Sequence, residues 1–182
     1  MKTVIVFLAD GLEECEGLII VDLLRRAGIH VITASITGSR EIHSSHGITF
    51  YADALAEEVD YAAADMVVLP GGKAGTERIA ASSLVKEQCL AFAADRSVSA
   101  ICAAPSVLAA HGLLEGKEAT CHPDFEPKMH GALLTHSSVA VSGNIITGRG
   151  LGAAIPFALE LIRTLLDEGS AQRIAEAICW KD

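Results

Sequence analysis

The stretch Thr3-Val4-Ile5-Val6-Phe7-Leu8-Ala9, halted by Asp10-Gly11, decides the fold. It is a continuous apolar run rich in β-branched residues, so it reads as a central strand covered on both faces. Glu13 to Ala27 follows as a helix. Acidic residues fill its first turn, Arg25 and Arg26 its last, and Gly28 stands just past the end. A second strand spans His30 to Ile36, and a short edge hairpin spans Ile42 to Tyr51 around Gly47. Asp65 to Pro70 is a further buried strand that ends on Pro70-Gly71-Gly72. Helical spacing resumes from Leu84 to Ala94. The strand Ser97 to Ile101 is cut short by Cys102-Ala103-Ala104-Pro105, where Pro105 suits the first turn of a helix reaching His111 and stopping at Gly112. Val139–Val141 and Asn144–Ile146 flank Ser142-Gly143 as a small hairpin. Leu151, Ile155, Ala158, Ile162 and Leu165 mark an amphipathic helix, which Glu168-Gly169-Ser170 breaks before a last helix carrying Ile174 and Ile178.

Strands alternating with helices, without linkers, repeats or low-complexity tracts, predict one α/β domain over residues 1–182. The expected architecture is a flavodoxin-like three-layer α/β/α sandwich with a mostly parallel central sheet. Composition agrees: 182 residues give room for one core, and 51% hydrophobic content with only 4% aromatics means a chain built on Ala, Val, Ile and Leu. Disorder is excluded on the same grounds. With 14 Lys+Arg against 23 Asp+Glu, the net charge of −9 argues against a nucleic-acid or anionic-membrane partner. No apolar segment approaches the ~18 residues of a membrane span. The apolar start is followed at once by Asp10, Glu13, Glu14 and Glu16 with no small-residue cleavage pattern, unlike a signal peptide. The 5 cysteines, Cys15, Cys89, Cys102, Cys121 and Cys179, are odd in number and scattered, which fits free thiols in a reducing cytoplasm.

In such sheets ligands sit at the carboxyl ends of the strands, here Asp10-Gly11, Pro70-Gly71-Gly72 and Cys102-Ala103. Ala100-Ile101-Cys102-Ala103-Ala104 has the form of a nucleophile elbow: a side chain on a sharp strand-to-helix turn, with small residues two positions to either side. A helix N-terminus behind Cys102 would stabilise its thiolate, and the Ala103 N–H would face a forming oxyanion. The bland alternative is a small buried hydrophobe. Gly71-Gly72 lets backbone approach a ligand and can supply a second oxyanion N–H from Gly72, though the pair also suits an ordinary turn. It is no Walker A loop. Of the acidic residues opening the first helix, Glu13 and Glu14 read as solvated or as complementing the helix dipole. Glu16 lies on the face of Ile19, Ile20 and Leu23, where an inward carboxyl would have a raised pKa and could hold a proton beside a thiolate. His122 can polarise Cys102 as a nucleophile's partner. A metal set of Cys121, His122 and Asp124, with His130 or His136, lacks the spacing of known sites. Gly148-Arg149-Gly150-Leu151-Gly152 mimics a dinucleotide fingerprint but reads as a backbone turn.

Phe7–Glu16, Val67–Gly72, Ala100–Pro105, His122-Pro123 and Thr147–Gly150 stand in the order and spacing of the DJ-1/ThiJ/PfpI superfamily, and the chain resembles its DJ-1 branch over nearly its whole length. The resemblance implies a flavodoxin-like homodimer with Cys102 as nucleophile, Glu16 as the acid hydrogen-bonded to it and His122 as the third residue. Gly72 and Ala103, with Gly71 beside them, would form the oxyanion and substrate-binding backbone. It implies cofactor-free conversion of methylglyoxal, glyoxal or their adducts to hydroxy acids, without metal. The alternative it carries is a non-enzymatic redox sensor or redox-regulated chaperone working through a Cys102 sulfinate. A PfpI-like protease is disfavoured because Ala103 stands where that branch has His. Departures from the pattern fall at His46, where the best-known animal member has Arg, at Cys15 and Tyr51, and at Cys121, which would be a resolving thiol only within disulfide reach.

Overall fold

The computed structural model describes residues 1–181. In chain order it runs β1 (Thr3–Leu8), α1 (Glu14–Arg26), β2 (His30–Ser35), β3 (Glu41–His43), β4 (Thr49–Tyr51), β5 (Ala54–Leu55), β6 (Met66–Leu69), α2 (Lys73–Ala81), α3 (Ser83–Asp95) and β7 (Ser97–Ile101). It continues through α4 (Pro105–Ala110), β8 (Glu118–Ala119), β9 (Leu133–Leu134), β10 (Val139–Ser142), β11 (Ile145–Gly148), α5 (Ala154–Leu165) and α6 (Glu168–Ala177). The main sheet is ordered β10-β11-β7-β6-β1-β2-β5, parallel throughout except for β10 against β11. This is the flavodoxin-like arrangement, and its strand order reverses beside β1.

Alternation along β1 explains why the run has no polar face. Val4, Val6 and Leu8 pack with α1, α5 and α6 through Ile20, Leu24, Phe157, Ile162 and Ile174. Ile5, Phe7 and Ala9 point the other way, toward Ile79, Val85, Phe92 and Leu108 of α2, α3 and α4. The two cores hold the sheet between helical layers, so every strand end on the carboxyl side is fixed from both faces.

Several local expectations are corrected. The hairpin about Gly47 forms, but as a separate two-stranded sheet; the edge of the main sheet is β5, paired to β2. A helix over Lys73–Ala81 was not expected, because its first turn contains Gly75 and follows the glycine pair. Gly75 is required there: a Cβ would stand 2.7 Å from Leu12 N. The break before the last helix comes at Leu166-Asp167, not at Glu168-Gly169-Ser170. Asp167 caps α6 by accepting from Ser170 N at 2.7 Å, so those three residues open the helix rather than interrupt it. Leu151 lies outside α5 and is exposed. No helix among the described residues is long and apolar enough to cross a membrane.

Candidate active site

The expected loops converge at the carboxyl edge of the sheet: α1 after β1, the glycine pair after β6, Cys102 after β7 and Arg149 after β11. Cys102 has φ +64, a left-handed backbone that a side-chain-bearing residue seldom adopts. Its N–H donates to Gly148 O at 2.9 Å and its carbonyl accepts from His122 N at 2.8 Å, so hydrogen bonds on both sides hold the turn. All five thiols are unpaired.

Glu16 is only 1% exposed, with its backbone N–H donating to Glu13 Oε2 at 2.6 Å. That bond makes Glu13 the N-cap of α1 and fixes the turn that directs Glu16 inward. Glu16 and Cys102 lie on either side of Gly71. A Cβ there would overlap Glu16 Oε2 and stand 2.5 Å from Cys102 Cβ. Gly72, at φ +89, has no room either: a Cβ would meet Gly11 O at 2.6 Å and Leu12 C at 2.7 Å. Both glycines are therefore steric requirements of the site, beyond a simple turn.

Burial pushes the Glu16 carboxyl up to about 7, helped by the Glu13 charge and opposed by the Cys102 thiol and the Gly71 amide. Burial also pushes the Cys102 thiol up to about 12, with the Glu16 carboxylate adding to it and the amides of Gly72 and Ala103 opposing. The contacts around Glu16 are electrostatic rather than well-aligned, since both its carboxyl oxygens are shut from solvent without a partner of hydrogen-bond geometry. The expectation that a helix N-terminus holds the thiolate at low pKa is not met. The α4 helix has only 6 residues, too short to offset burial and a neighbouring carboxylate.

The high thiol value has burial as its first cause, and the charged state of Glu16 adds to it. Once Glu16 is neutral the repulsion is gone, its O–H can donate to sulfur, and the Gly72 and Ala103 amides still favour the thiolate. Cys102 and Glu16 therefore titrate as a coupled pair, each one's protonation biasing the other's.

His122 lines the same open cleft of about 520 Å³ as Cys102, Glu16, Glu13, Ser138 and Arg149. Its ring is half-exposed, and Nδ1 accepts from Asp124 N at 3.3 Å and lies 3.7 Å from Asp124 Oδ2. Cys121 is fully buried, with burial pushing its thiol up to about 11.

In the acidic turn, Glu13 complements the helix N-terminus as its N-cap, while free solvation is corrected for both carboxylates. Glu14 is 4% exposed and lies 2.9 Å from His46 Nδ1, while Ser45 Oγ donates to it at 3.2 Å. Glu13 is engaged as the cap and lines the cleft. Neither is a freely solvated charge, because the β3–β4 hairpin folds its Ser44–His46 segment over them. Among the described residues, Glu13, Glu14 and His46 are the group whose possible ligand atoms converge, all within 4.8 Å; the set around Cys121, His122 and Asp124 does not. Arg149 and Ser138 were missed as cleft residues, although Gly148-Arg149 also lies at a strand's carboxyl end and the same rule would have found it.

A family model described as the DJ-1/PfpI family matches residues 2–164. The chain is 36% identical over 180 residues to Protein dj-1beta of Drosophila melanogaster, covering 97% of this chain and 96% of that one. It is 28% identical over 173 residues to a Caenorhabditis elegans protein named glutathione-independent glyoxalase DJR-1.2, covering 93% and 91%. The structure of oxidized Toxoplasma gondii DJ-1 superposes with a TM-score of 0.96 at 34% identity, covering 100% of both chains.

Proposed function

Because the chain belongs to the DJ-1/PfpI family, we propose that it is a glutathione-independent glyoxalase, a cysteine enzyme that converts 2-oxoaldehydes such as methylglyoxal or glyoxal, or their adducts, to hydroxy acids. The observation that carries the reading is the Glu16–Cys102 pair beside the Gly72 and Ala103 amides. The relative named as a glyoxalase supports the substrate class.

Cys102 thiolate attacks the aldehyde carbon and forms a C–S bond, while the carbonyl π electrons move onto oxygen. The Gly72 and Ala103 N–H groups stabilise that oxyanion, and Glu16 delivers its proton to it. The Glu16 carboxylate then removes the proton from the former aldehyde carbon, giving an enediolate, exchanges it with water in the open cleft and delivers a solvent proton to the adjacent carbon, while the hydroxyl proton on the first oxygen passes to the second. The first carbon is oxidised to a thioester and the second reduced to a carbinol, so no external oxidant enters. Water attacks the thioester with His122 taking its proton, and thiol and hydroxy acid are released. The net change adds one water to the dicarbonyl. In this scheme the steps need neither metal nor organic cofactor.

A second reading has an observation of its own. Cys102 is the partly accessible thiol of the site, and the same amides would bind sulfinate oxygens after two equivalents of peroxide had oxidised it. The chain would then act as a redox sensor or redox-regulated chaperone. A homodimer in the cytoplasm belongs to either reading. The discriminating experiment is lactate formation from methylglyoxal without glutathione: the enzymatic reading requires it, and requires its loss in Cys102→Ala.

A further inference from the structure

We propose that Arg149 makes the Cys102 cleft selective for substrates carrying a carboxylate beyond the reacting dicarbonyl. Arg149 begins one residue past Gly148, whose carbonyl anchors the Cys102 amide at 2.9 Å, and its own N–H donates to Ser138 O at 3.0 Å. Those bonds fix its backbone beside the nucleophile. Among the described residues it is the sole lysine or arginine on the cleft wall.

Its guanidinium is under-used. A guanidinium has five N–H donors in a planar fork, yet the Arg149 side chain makes no hydrogen bond among the described residues. Nη1 is shut from solvent with no partner. The one carboxylate near it is Glu126, 3.5 Å from Nη2, and that same oxygen lies 3.0 Å from His136 Nδ1. The side chain as a whole is about a third exposed, and a carboxylate bound along that accessible part of the fork would give it the charge-assisted partner that arginine favours. The other cleft charges do not compete for this role: Glu13 is occupied as the α1 cap, and Glu16 is held half-neutral near pH 7 by burial.

The substrate class rests on the 2-oxoaldehyde reading above, but the anion selectivity of the cleft does not, so the test has separate arms. The first compares alkylation of Cys102 by iodoacetate and by iodoacetamide, followed by mass spectrometry in wild type, Arg149→Gln and Arg149→Lys. The expected result is a drop in the iodoacetate-to-iodoacetamide rate ratio of about tenfold in Arg149→Gln, the size of one charge-assisted hydrogen bond, and a smaller drop in Arg149→Lys. A ratio unchanged in Arg149→Gln overturns the proposal. A second measurement needs no variant: glutarate should protect wild-type Cys102 from iodoacetamide at concentrations where its dimethyl ester does not, and equal protection also overturns it. The last arm compares kcat/KM for 4,5-dioxopentanoate with that for its methyl ester. Preference for the acid that falls in Arg149→Gln supports the substrate class. Loss of iodoacetate preference with no turnover of either dicarbonyl keeps the selectivity and overturns the substrate class.

Discussion

Glu16 and Cys102 face each other across Gly71, with so little space that a single methyl at residue 71 would overlap the carboxylate oxygen and stand 2.5 Å from Cys102 Cβ. Neither group is at home there as an anion beside the other. Burial raises both, and the charge of Glu16 raises the thiol further. The pair therefore holds its protons tightly near neutral pH, and a thiolate there requires Glu16 to carry the proton instead of sulfur. This links the inward turn of α1 directly to nucleophile chemistry.

The pH profile of Cys102 alkylation by iodoacetamide should rise at a pH above that of an ordinary thiol, because burial and the Glu16 carboxylate both push the thiol up. Glu16→Gln removes the carboxylate charge that raises the thiol, so the profile should move to lower pH. An unchanged profile in Glu16→Gln would show that the thiol titrates independently.

Stability should carry the same signature. The folded chain raises the Glu16 carboxyl from its ordinary 4.5 to about 7, so it binds that proton more tightly than the unfolded chain. The resulting stabilisation is complete below about 4.5 and is lost as pH rises through about 7, a span corresponding to about 3 kcal/mol. Thermal unfolding of wild type and Glu16→Gln should thus diverge in favour of Gln from pH 5 to pH 8, by on the order of 5 °C in Tm. Parallel curves would contradict the raised carboxyl.

Gly71→Ala should fold and yet lose most activity, because Gly71 is outside the positive-φ glycines and the tightest overlaps are with Glu16 and Cys102, with Ile101 O next at 3.0 Å. A fall of about a hundredfold in kcat/KM is expected from such misplacement, at a stability cost of about 1–3 kcal/mol. Gly72→Ala should be worse for folding, since its φ is +89 and the obstructing atoms are backbone. Chemical denaturation alongside activity separates the two.

His122→Gln should slow turnover by about tenfold to a hundredfold, the range of a positioned proton carrier at the hydrolytic step. Alkylation of Cys102 should stay near the wild-type rate, because the His122 ring is absent from the groups that set the Cys102 thiol. Equal losses in both assays would assign His122 to thiolate formation instead.

Much of this was legible in the residues because the strands are apolar on both faces. Thr3–Ala9 and Ser97–Ile101 fall within one residue of β1 and β7, since a buried parallel strand leaves no room for another reading. The inward side of Glu16 was legible as well, from its place on the face of Ile20 and Leu23. Burial of Glu14 was not, because the cover comes from Ser45 and His46 on a hairpin distant in sequence. The α2 helix was hidden by Gly75, whose purpose is a tertiary contact with Leu12. The direction of the Cys102 shift likewise depended on how deeply the pair is buried, a property that motif spacing does not encode.

The most direct test is methylglyoxal conversion in D2O without glutathione, with the lactate read by NMR and mass spectrometry. Proton relay through Glu16 and an enediol predicts lactate carrying solvent deuterium on its second carbon, formed by wild type and lost in both Cys102→Ala and Glu16→Gln. Undiminished lactate formation in Cys102→Ala, or lactate with no deuterium on that carbon, would contradict it.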